Sequence, residues 1–283
     1  MSEEKSMQKR RQSRKQQHKK HTADGMSMVS NYKVQTRVIN CDVHKARLKQ
    51  IMKSLNLEHV SVKRKPCVYG KDFTKANLED LAREGTIHRD SAMNVIEMSI
   101  YLSHYACWHQ FLETDADLLL VFEDDVTVLP DFNKHLGLCL QAITESHEPW
   151  NVFYLYHGDY LKYVTEPVAQ VSEQPNIVLE QLVKPGIPTM SAYLMTRPFV
   201  EYLAKTAIPM KVPVDVFLMN NQNAMGKEAF TLNHTGHWDA KKGRSSPLVA
   251  VPGWTFGQST RSDPFPPLRT ILGDLEKKVA PKK

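Results

Sequence analysis

The chain has 283 residues, 41% of them hydrophobic, enough for one substantial core with room for a small subdomain. No apolar stretch approaches the roughly 20 residues of a membrane span, and the start, Met-Ser-Glu-Glu-Lys, leads into a polar basic run without the apolar segment of a secretory leader. The formal net charge is +6, but residues 1–30 hold eight Lys and Arg against three acidic residues, so about +5 belongs to the tail and the body is close to neutral.

Residues 1–30 are poor in apolar side chains and rich in Gln, Lys and Arg, the composition of a disordered basic tail. Such a tail either keeps the chain soluble or touches nucleic acid, anionic lipid or a localisation receptor. Cys41, Cys67, Cys107 and Cys139 lie far apart with no Cys-x-x-Cys pair, which favours reduced thiols over a disulfide framework or a zinc site. With no leader visible, the expected location is cytoplasmic.

Lys33-Val-Gln-Thr-Arg-Val-Ile39 reads as a first strand, ending at Asn40-Cys41-Asp42. His44 to Leu57 carries Ala46, Leu48, Ile51, Met52 and Leu55 at helical spacing, and His59 to Val62 reads as a second strand, completing a βαβ unit. A less regular section runs to about Arg89. From Ala92 the helical period returns through Val95, Ile96, Met98, Leu102, Ala106, Cys107 and Phe111. A strand at Leu118, a helix over Phe132–Thr144 and a strand over Asn151–Tyr156 follow, the last ending at His157-Gly-Asp159. This alternation argues for an α/β sandwich. Further strands are expected at Asn176–Leu182, Met190–Met195, Glu228–Asn233 and Pro247–Val251. Helices are expected at Arg197–Lys205 and from Pro213, with Asp215 in the first turn, where the helix dipole favours a negative charge. A polar tail closes the chain. Neither a Rossmann fingerprint nor a Walker loop is present, so a nucleotide would be held by other means.

The most informative stretch is Asp117 to Pro130. The apolar run Leu118–Phe122 delivers three consecutive carboxylates, Glu123, Asp124 and Asp125. Burying adjacent carboxylates unpaired is costly, so the strand end must face solvent or a cation. A hard ion such as Mg²⁺ or Mn²⁺ takes carboxylate and phosphate oxygens together, and open α/β sheets bind ligands beyond the carboxyl ends of their strands. Taken alone, the three carboxylates leave a metal-diphosphate site and a plain acidic turn equally open.

The order of several motifs resembles glycosyltransferase family 25, the lipopolysaccharide and procollagen galactosyltransferase family. Val38-Ile-Asn40 followed by Arg47 is similar to its first strand and following arginine. Val68 and Gly70 match its Ala-Val-Asp-Gly turn. Glu97, Leu102, Ser103 and His104 match a helix that carries Leu-Ser-His, with Ser99 and Ile100 in place of a Gly-Cys pair, and Trp108 stands where the family often has an aromatic residue. Leu120-Val-Phe-Glu-Asp-Asp-Val126 resembles its Glu-Asp-Asp motif, Trp150–Leu155 its next strand, Ser191-Ala-Tyr-Leu194 its Ala-Tyr segment and Pro213-Val-Asp215 its Pro-x-Asp element. Pro247 through Gln258, Ser259 and Asp263 resembles its C-terminal end. The similarity spans residues 34–263, within an expected transferase domain of residues 31–265 between the tail and a polar C-terminal segment, 266–283.

The resemblance implies a GT-A fold, a Rossmann-like sandwich that binds a nucleotide-sugar without the glycine fingerprint. It implies Mn²⁺ or Mg²⁺ on the donor diphosphate, with Asp125 as a ligand and Glu123 as a second ligand or, like Asp124, a contact to the ribose. The other expected cofactor-binding positions are Asn40, Gly70, Ser103 and His104; Asn40 could instead simply start a turn, and His104 could be a hydrogen-bonded core residue. Asp215 is the candidate base that deprotonates the acceptor, against a purely structural role at a helix start, with Asp159 as an alternative. His234 and His237 read as loop residues rather than metal ligands. The implied reaction moves a hexose, galactose or glucose, from a UDP-sugar to a hydroxyl of a glycan or of a hydroxylysine-type acceptor, with inversion. The competing reading is an inactive transferase-like binding protein whose basic tail contacts nucleic acid or a membrane.

Overall fold

Strand β4, Leu118–Glu123, lies inside a nine-stranded mixed sheet, and its first five residues are buried on both faces. The computed structural model describes residues 26–156, 164–184, 190–233, 244–245 and 248–251. Along β4 the side chains alternate between two cores. Leu119 and Val121 join one apolar cluster, while Leu118, Leu120 and Phe122 join the other. Helices cover both faces, so the chain is an α/β sandwich, as the alternating pattern predicts.

Around β4 the sheet is built from β1 (Met26–Val29), β2 (Tyr32–Asn40), β3 (Lys63–Pro66), β6 (Trp150–Tyr154), β7 (Val164–Ser172), β8 (Ile177–Lys184), β9 (Ala192–Thr196) and β10 (Glu228–Leu232). Its order is β1-β2-β4-β9-β6-β10-β8-β7, with β3 paired to β2. β1 and β3 share one edge of β2: β1 pairs with its first half and β3 with its second. β2 is parallel to β3 and to β4, with Ile39 opposite Glu123 and Asn40 opposite Pro66. The carboxyl ends of these three strands therefore meet at one edge, and antiparallel β9 brings Ala192 there beside Phe122. A second sheet of three short strands, β11 (Arg244–Ser245), β12 (Val249–Val251) and β5 (Thr127–Val128), continues directly from the acidic turn.

Helix α1, Lys45–Leu57, packs Ile51 and Leu55 on one face of the sheet together with α4, Phe132–Glu145. The other face carries α2 (Lys75–Arg83), α3 (Val95–Leu112), α5 (Arg197–Thr206) and α6 (Val214–Asn221). α3 opens with a reciprocal capping box: Asn94 accepts from the Glu97 amide at 2.9 Å, and Glu97 accepts from the Asn94 amide at 2.8 Å. This bond accounts for Glu97 in the helix motif without any contact to a ligand.

Several boundaries differ from the sequence expectation, each for a local reason. Met26–Val29, placed in the basic tail by composition, is a strand held by its ladder to β2; residues 1–25 lie outside the described residues. The strand expected at His59–Val62 begins instead at Lys63. His59 takes a left-handed conformation (φ 55°), and its amide and that of Val60 bond back to Asn56 and Leu55, so the segment ends α1 in a Schellman turn. The strand that follows, Lys-Arg-Lys-Pro, has no apolar alternation because it is an edge strand, where charge and proline discourage further pairing. The irregular section before Arg89 contains α2, started by a capping box between Thr74 and Asn77.

The expectation of four reduced thiols is corrected. Cys41 and Cys67 form a disulfide across the carboxyl ends of β2 and β3, while Cys107 and Cys139 are free and buried. The two cysteines are 26 residues apart in sequence, but the parallel register sets Asn40 opposite Pro66 and so brings their successors together. The expected cytoplasmic location thereby loses its cysteine argument. Among the described residues no helix is long and apolar enough to cross a membrane. Thiol titration of the unfolded, unreduced chain should find two of the four cysteines reactive, and all four after reduction. Replacing Cys41 and Cys67 by serine should lower stability by about 3.5 kcal/mol, the loop-closure value for this separation; four reactive thiols before reduction would exclude the bond.

Candidate active site at the edge of the sheet

The acidic stretch leaves the strand as a turn. β4 ends at Glu123, whose amide bonds to the Ser191 carbonyl at 2.8 Å, and the Val126 amide turns back to the Glu123 carbonyl at 3.4 Å. Asp124 and Asp125 occupy the bend, so the two-residue alternation that would set Glu123 and Asp125 on one face of an extended segment does not apply. Each carboxylate instead has its own surroundings.

Asp124 faces the α1 side. Its Oδ2 accepts from Asn40 Nδ2 at 2.6 Å, and its Oδ1 lies 3.4 Å from Arg47 Nη1. Asn40 is itself fully engaged. Its amide nitrogen also donates to the His44 carbonyl at 3.2 Å, and its Oδ1 accepts from Arg64 Nε at 3.0 Å. Arg64 further bonds the Asn40 carbonyl and Asp42. Asn40 is buried, at 2% exposure, and positions Asp124 rather than presenting itself to a ligand.

Glu123 faces the α3 side, where His104 Nε2 lies 3.4 Å from its Oε1. His104 is enclosed, and its Nδ1 is 2.9 Å from the Tyr193 hydroxyl, whose oxygen accepts from Trp108 Nε1 at 3.2 Å. Ser103, the neighbour of His104, has both bonds of its hydroxyl taken within the protein. It donates to the Ser99 carbonyl at 2.7 Å and accepts from the Val68 amide at 2.8 Å, pinning the 67–70 loop to α3. Gly70 is part of the same junction. A Cβ there would lie 2.8 Å from Ile96 Cδ1, 3.0 Å from Ser99 Oγ and 3.2 Å from the Val95 carbonyl, so close packing accounts for the missing side chain.

Asp125 differs from its neighbours. Its Oδ1 is buried and has no hydrogen-bond partner among the described residues. Burial, reinforced by the charges of Glu123 and Asp124 and opposed by Arg47, pushes its pKa up to about 7. Asp215, in the first turn of α6, is half-buried, and its Oδ1 accepts from the Val216 amide at 2.8 Å. Burial raises its pKa above the ordinary carboxylate range; the Val216 amide opposes the rise, Glu123 adds to it, and His104 lowers it. α6 packs against α3, with the Phe217 and Trp108 ring centroids 6.4 Å apart, so Asp215 lies on the α3 side of the sheet. Asp159, His157, His234 and His237 lie outside the described residues.

Among the described residues no three His, Cys, Asp or Glu side chains converge closely enough to hold a metal ion on their own. A hard divalent ion does not require such a cage. Mg²⁺ in particular is commonly bound by one or two carboxylates with substrate phosphates and water completing its shell. The orphaned Asp125 oxygen beside Glu123 suits that mode of binding.

Comparison with known proteins identifies the family. The family model described as Glycosyltransferase family 25 (LPS biosynthesis protein) matches residues 33–218, which contain every site residue described above. The chain belongs to glycosyltransferase family 25. Human procollagen galactosyltransferase 2 is 26% identical over 146 residues, 50% of this chain and 23% of that protein. A bovine relative named probable inactive glycosyltransferase 25 family member 3 is 26% identical over 168 residues, 58% of this chain and 26% of that protein. The chain thus spans about a quarter of the length of these curated relatives. Among solved structures, the apo form of the glycosyltransferase GlyE of Streptococcus pneumoniae TIGR4 overlays with a TM-score of 0.34 and 10% identity, covering 70% of this chain and 44% of that one. The mixed α/β sheet with helices on both faces is the class of architecture that the alternation of elements predicts.

Sequence reasoning singles out the acidic turn and Asp215 but misses the roles of Arg64 and Tyr193. Arg64 lies in a basic run with no pattern of its own, whereas Tyr193 is visible within the Ala-Tyr segment.

The Asp125 environment has a measurable consequence. A carboxyl whose pKa is higher folded than unfolded penalises the folded state once its proton is lost. The metal-free protein should therefore lose stability as pH rises from about 4 to about 7, and Asp125→Asn should remove that loss. In thermal melts the variant's advantage should be absent below about pH 4, grow up to about pH 7 and stay level above it, reaching several degrees at roughly 2–4 °C per kcal/mol. Equal melting temperatures at about pH 8, above both pKa values, would rule this out.

Proposed function

We propose that this protein transfers a hexose, galactose or glucose, from a UDP-sugar to a hydroxyl acceptor, with inversion and with Mn²⁺ or Mg²⁺ as cofactor. The observation that carries the reading is the buried, unpartnered Asp125 oxygen at the carboxyl edge of the sheet, beside Glu123 and on the same edge as Asp215. A polar atom left in that state calls for a partner, and a divalent cation shared with a diphosphate supplies one. Asp125 would be the protein's direct ligand, with Glu123 as a second ligand or a ribose contact. Asp124 is held by Asn40 and Arg47 and shapes the turn. When bound, the ion would stabilise the negative charge of the departing nucleoside diphosphate.

Asp215 is the base in this reading. Burial raises its pKa, which improves its affinity for the acceptor proton. Glu123 and His104 oppose each other in setting that value, so the donor side and the base are electrostatically linked. The acceptor is a glycan or a hydroxylysine-type hydroxyl. The relatives named procollagen galactosyltransferase support the second class, and the lipopolysaccharide wording of the family supports the first.

Calorimetry with UDP and UDP-galactose, with and without Mn²⁺, tests the site. Binding should need the ion and be lost in Asp125→Ala. Asp215→Asn should keep donor binding and lose about 10²–10⁴-fold in turnover, the range for removing a general base. Because one relative is named inactive, turnover is measured separately, as release of UDP in the presence of acceptor. Metal-dependent binding without turnover would leave a nucleotide-sugar-binding protein. Absence of binding in the wild type would sink the transferase reading and leave the basic tail as the functional element.

A further inference from the structure

Glu123 ends a line of four side chains that starts well away from the sheet edge. Trp108 and His104 are one helical turn apart on α3, and Tyr193 faces them from β9. Trp108 and Tyr193 are fully buried and His104 nearly so, at 1% exposure, whereas about 30% of the Glu123 side chain is open. The successive separations are 3.2 Å (Trp108 Nε1 to Tyr193 Oη), 2.9 Å (Tyr193 Oη to His104 Nδ1) and 3.4 Å (His104 Nε2 to Glu123 Oε1).

Proton bookkeeping along this line has one low-energy solution. An indole N–H can only donate, so Tyr193 Oη must accept from Trp108. The tyrosine's own proton then requires an acceptor, and a buried hydroxyl donor left without one costs about 1–3 kcal/mol. His104 Nδ1 is the acceptor in reach. Its lone pair is therefore in use, the ring proton sits on Nε2, and that N–H points at the Glu123 carboxylate. The opposite tautomer would set two donors against the Tyr193 oxygen, strand the tyrosine proton and turn a bare ring nitrogen toward a negative oxygen. Burial raises the Tyr193 pKa well above its usual value, so the phenol keeps its proton throughout the working range.

We propose that Trp108, Tyr193 and His104 form a positioning relay that locks His104 as the Nε2–H tautomer and holds Glu123 by one oxygen, leaving the other for the donor. The relay deepens the functional reading above and rests on it for what Glu123 does, though not for the state of His104. Its members are positioning residues, since each acts through the next and none except Glu123 reaches the open edge. The relay also explains a feature of the sequence: Trp108 and the Tyr193 of the Ala-Tyr segment carry polar atoms into a largely apolar core because each polar atom has an assigned partner.

The test is long-range ¹H–¹⁵N correlation of metal-free protein carrying ¹⁵N-histidine, with the His104 signals assigned by their loss in His104→Gln. The wild type should show a protonated Nε2 and a bare Nδ1, and in Tyr193→Phe that preference should give way to a mixture of forms. A wild-type His104 protonated on Nδ1, or a preference that Tyr193→Phe leaves unchanged, overturns the relay. Mn²⁺-dependent UDP affinity supplies the second arm. Tyr193→Phe and His104→Leu should weaken it about 10–100-fold, the usual effect of removing a group that orients a ligand-bearing carboxylate. His104→Gln, which keeps an N–H donor, should retain most of it. Equal losses in His104→Gln and His104→Leu would overturn the donor role. If Tyr193→Phe fails to fold, the wild-type tautomer and the two His104 variants decide. A wild type that binds no UDP refutes the functional reading, while the tautomer still decides the relay.

Discussion

Three adjacent carboxylates at the end of a buried strand repel one another and resist leaving water, and the architecture of this edge answers that constraint. Each is treated differently. Asp124 is hydrogen-bonded by Asn40 and paired with the Arg47 guanidinium, and Glu123 takes a proton donor from His104 on the α3 side. Asp125 receives no bond on its buried oxygen and carries the strain as a raised pKa. One strand terminus thus anchors both helical layers while keeping a single unsatisfied group. In the proposed function a cation fills that place, since a buried polar group without a partner calls for one.

The supports of the two outer carboxylates are themselves supported. On one side the Asn40 amide is fixed by Arg64, and the Cys41–Cys67 disulfide ties the adjoining ends of β2 and β3. On the other, the close approach at Gly70 and the Ser103 bonds clamp the same loop to α3, one residue from His104. The segment from Cys67 to Gly70 is consequently held at both ends and links the two flanks of the acidic turn. A disturbance of that loop would reach Asp124 through Asn40 and Glu123 through α3, although none of its residues needs to touch a substrate.

Much of this is legible in the sequence. The apolar run ending in Glu-Asp-Asp locates the edge, helical spacing finds α1 and α3, the helices α4 to α6 are also expected, and the order of motifs points to the family. What escapes has physical causes. The strand β3 is entirely basic and proline-ended because it borders solvent, so no hydrophobic period marks it. Helix α2 is announced only by the Thr74–Asn77 box. The disulfide depends on which strands are neighbours, which sequence separation cannot reveal. Asn40, Ser103 and Gly70 are drawn to the site region by their motifs, but their contacts give them structural duties: two spend their polar atoms inside the protein, and the third makes room for a helix.

These assignments bear on how chemical roles divide within a motif. A run such as Glu-Asp-Asp invites the assumption that its members are interchangeable ligands spaced along a strand. Here the strand stops at the first of them, and the backbone bend sends the three side chains into three environments. Asp124, the most fully paired, is the least available to a cation; Asp125, the least paired, is the most available. Availability follows from what the neighbouring helices have already claimed, so the role of each carboxylate is decided by Arg47 and Asn40 on one flank and by His104 and Tyr193 on the other. Substitutions at those four positions should therefore weaken the site through the carboxylate each one holds, not through a contact of their own with the substrate.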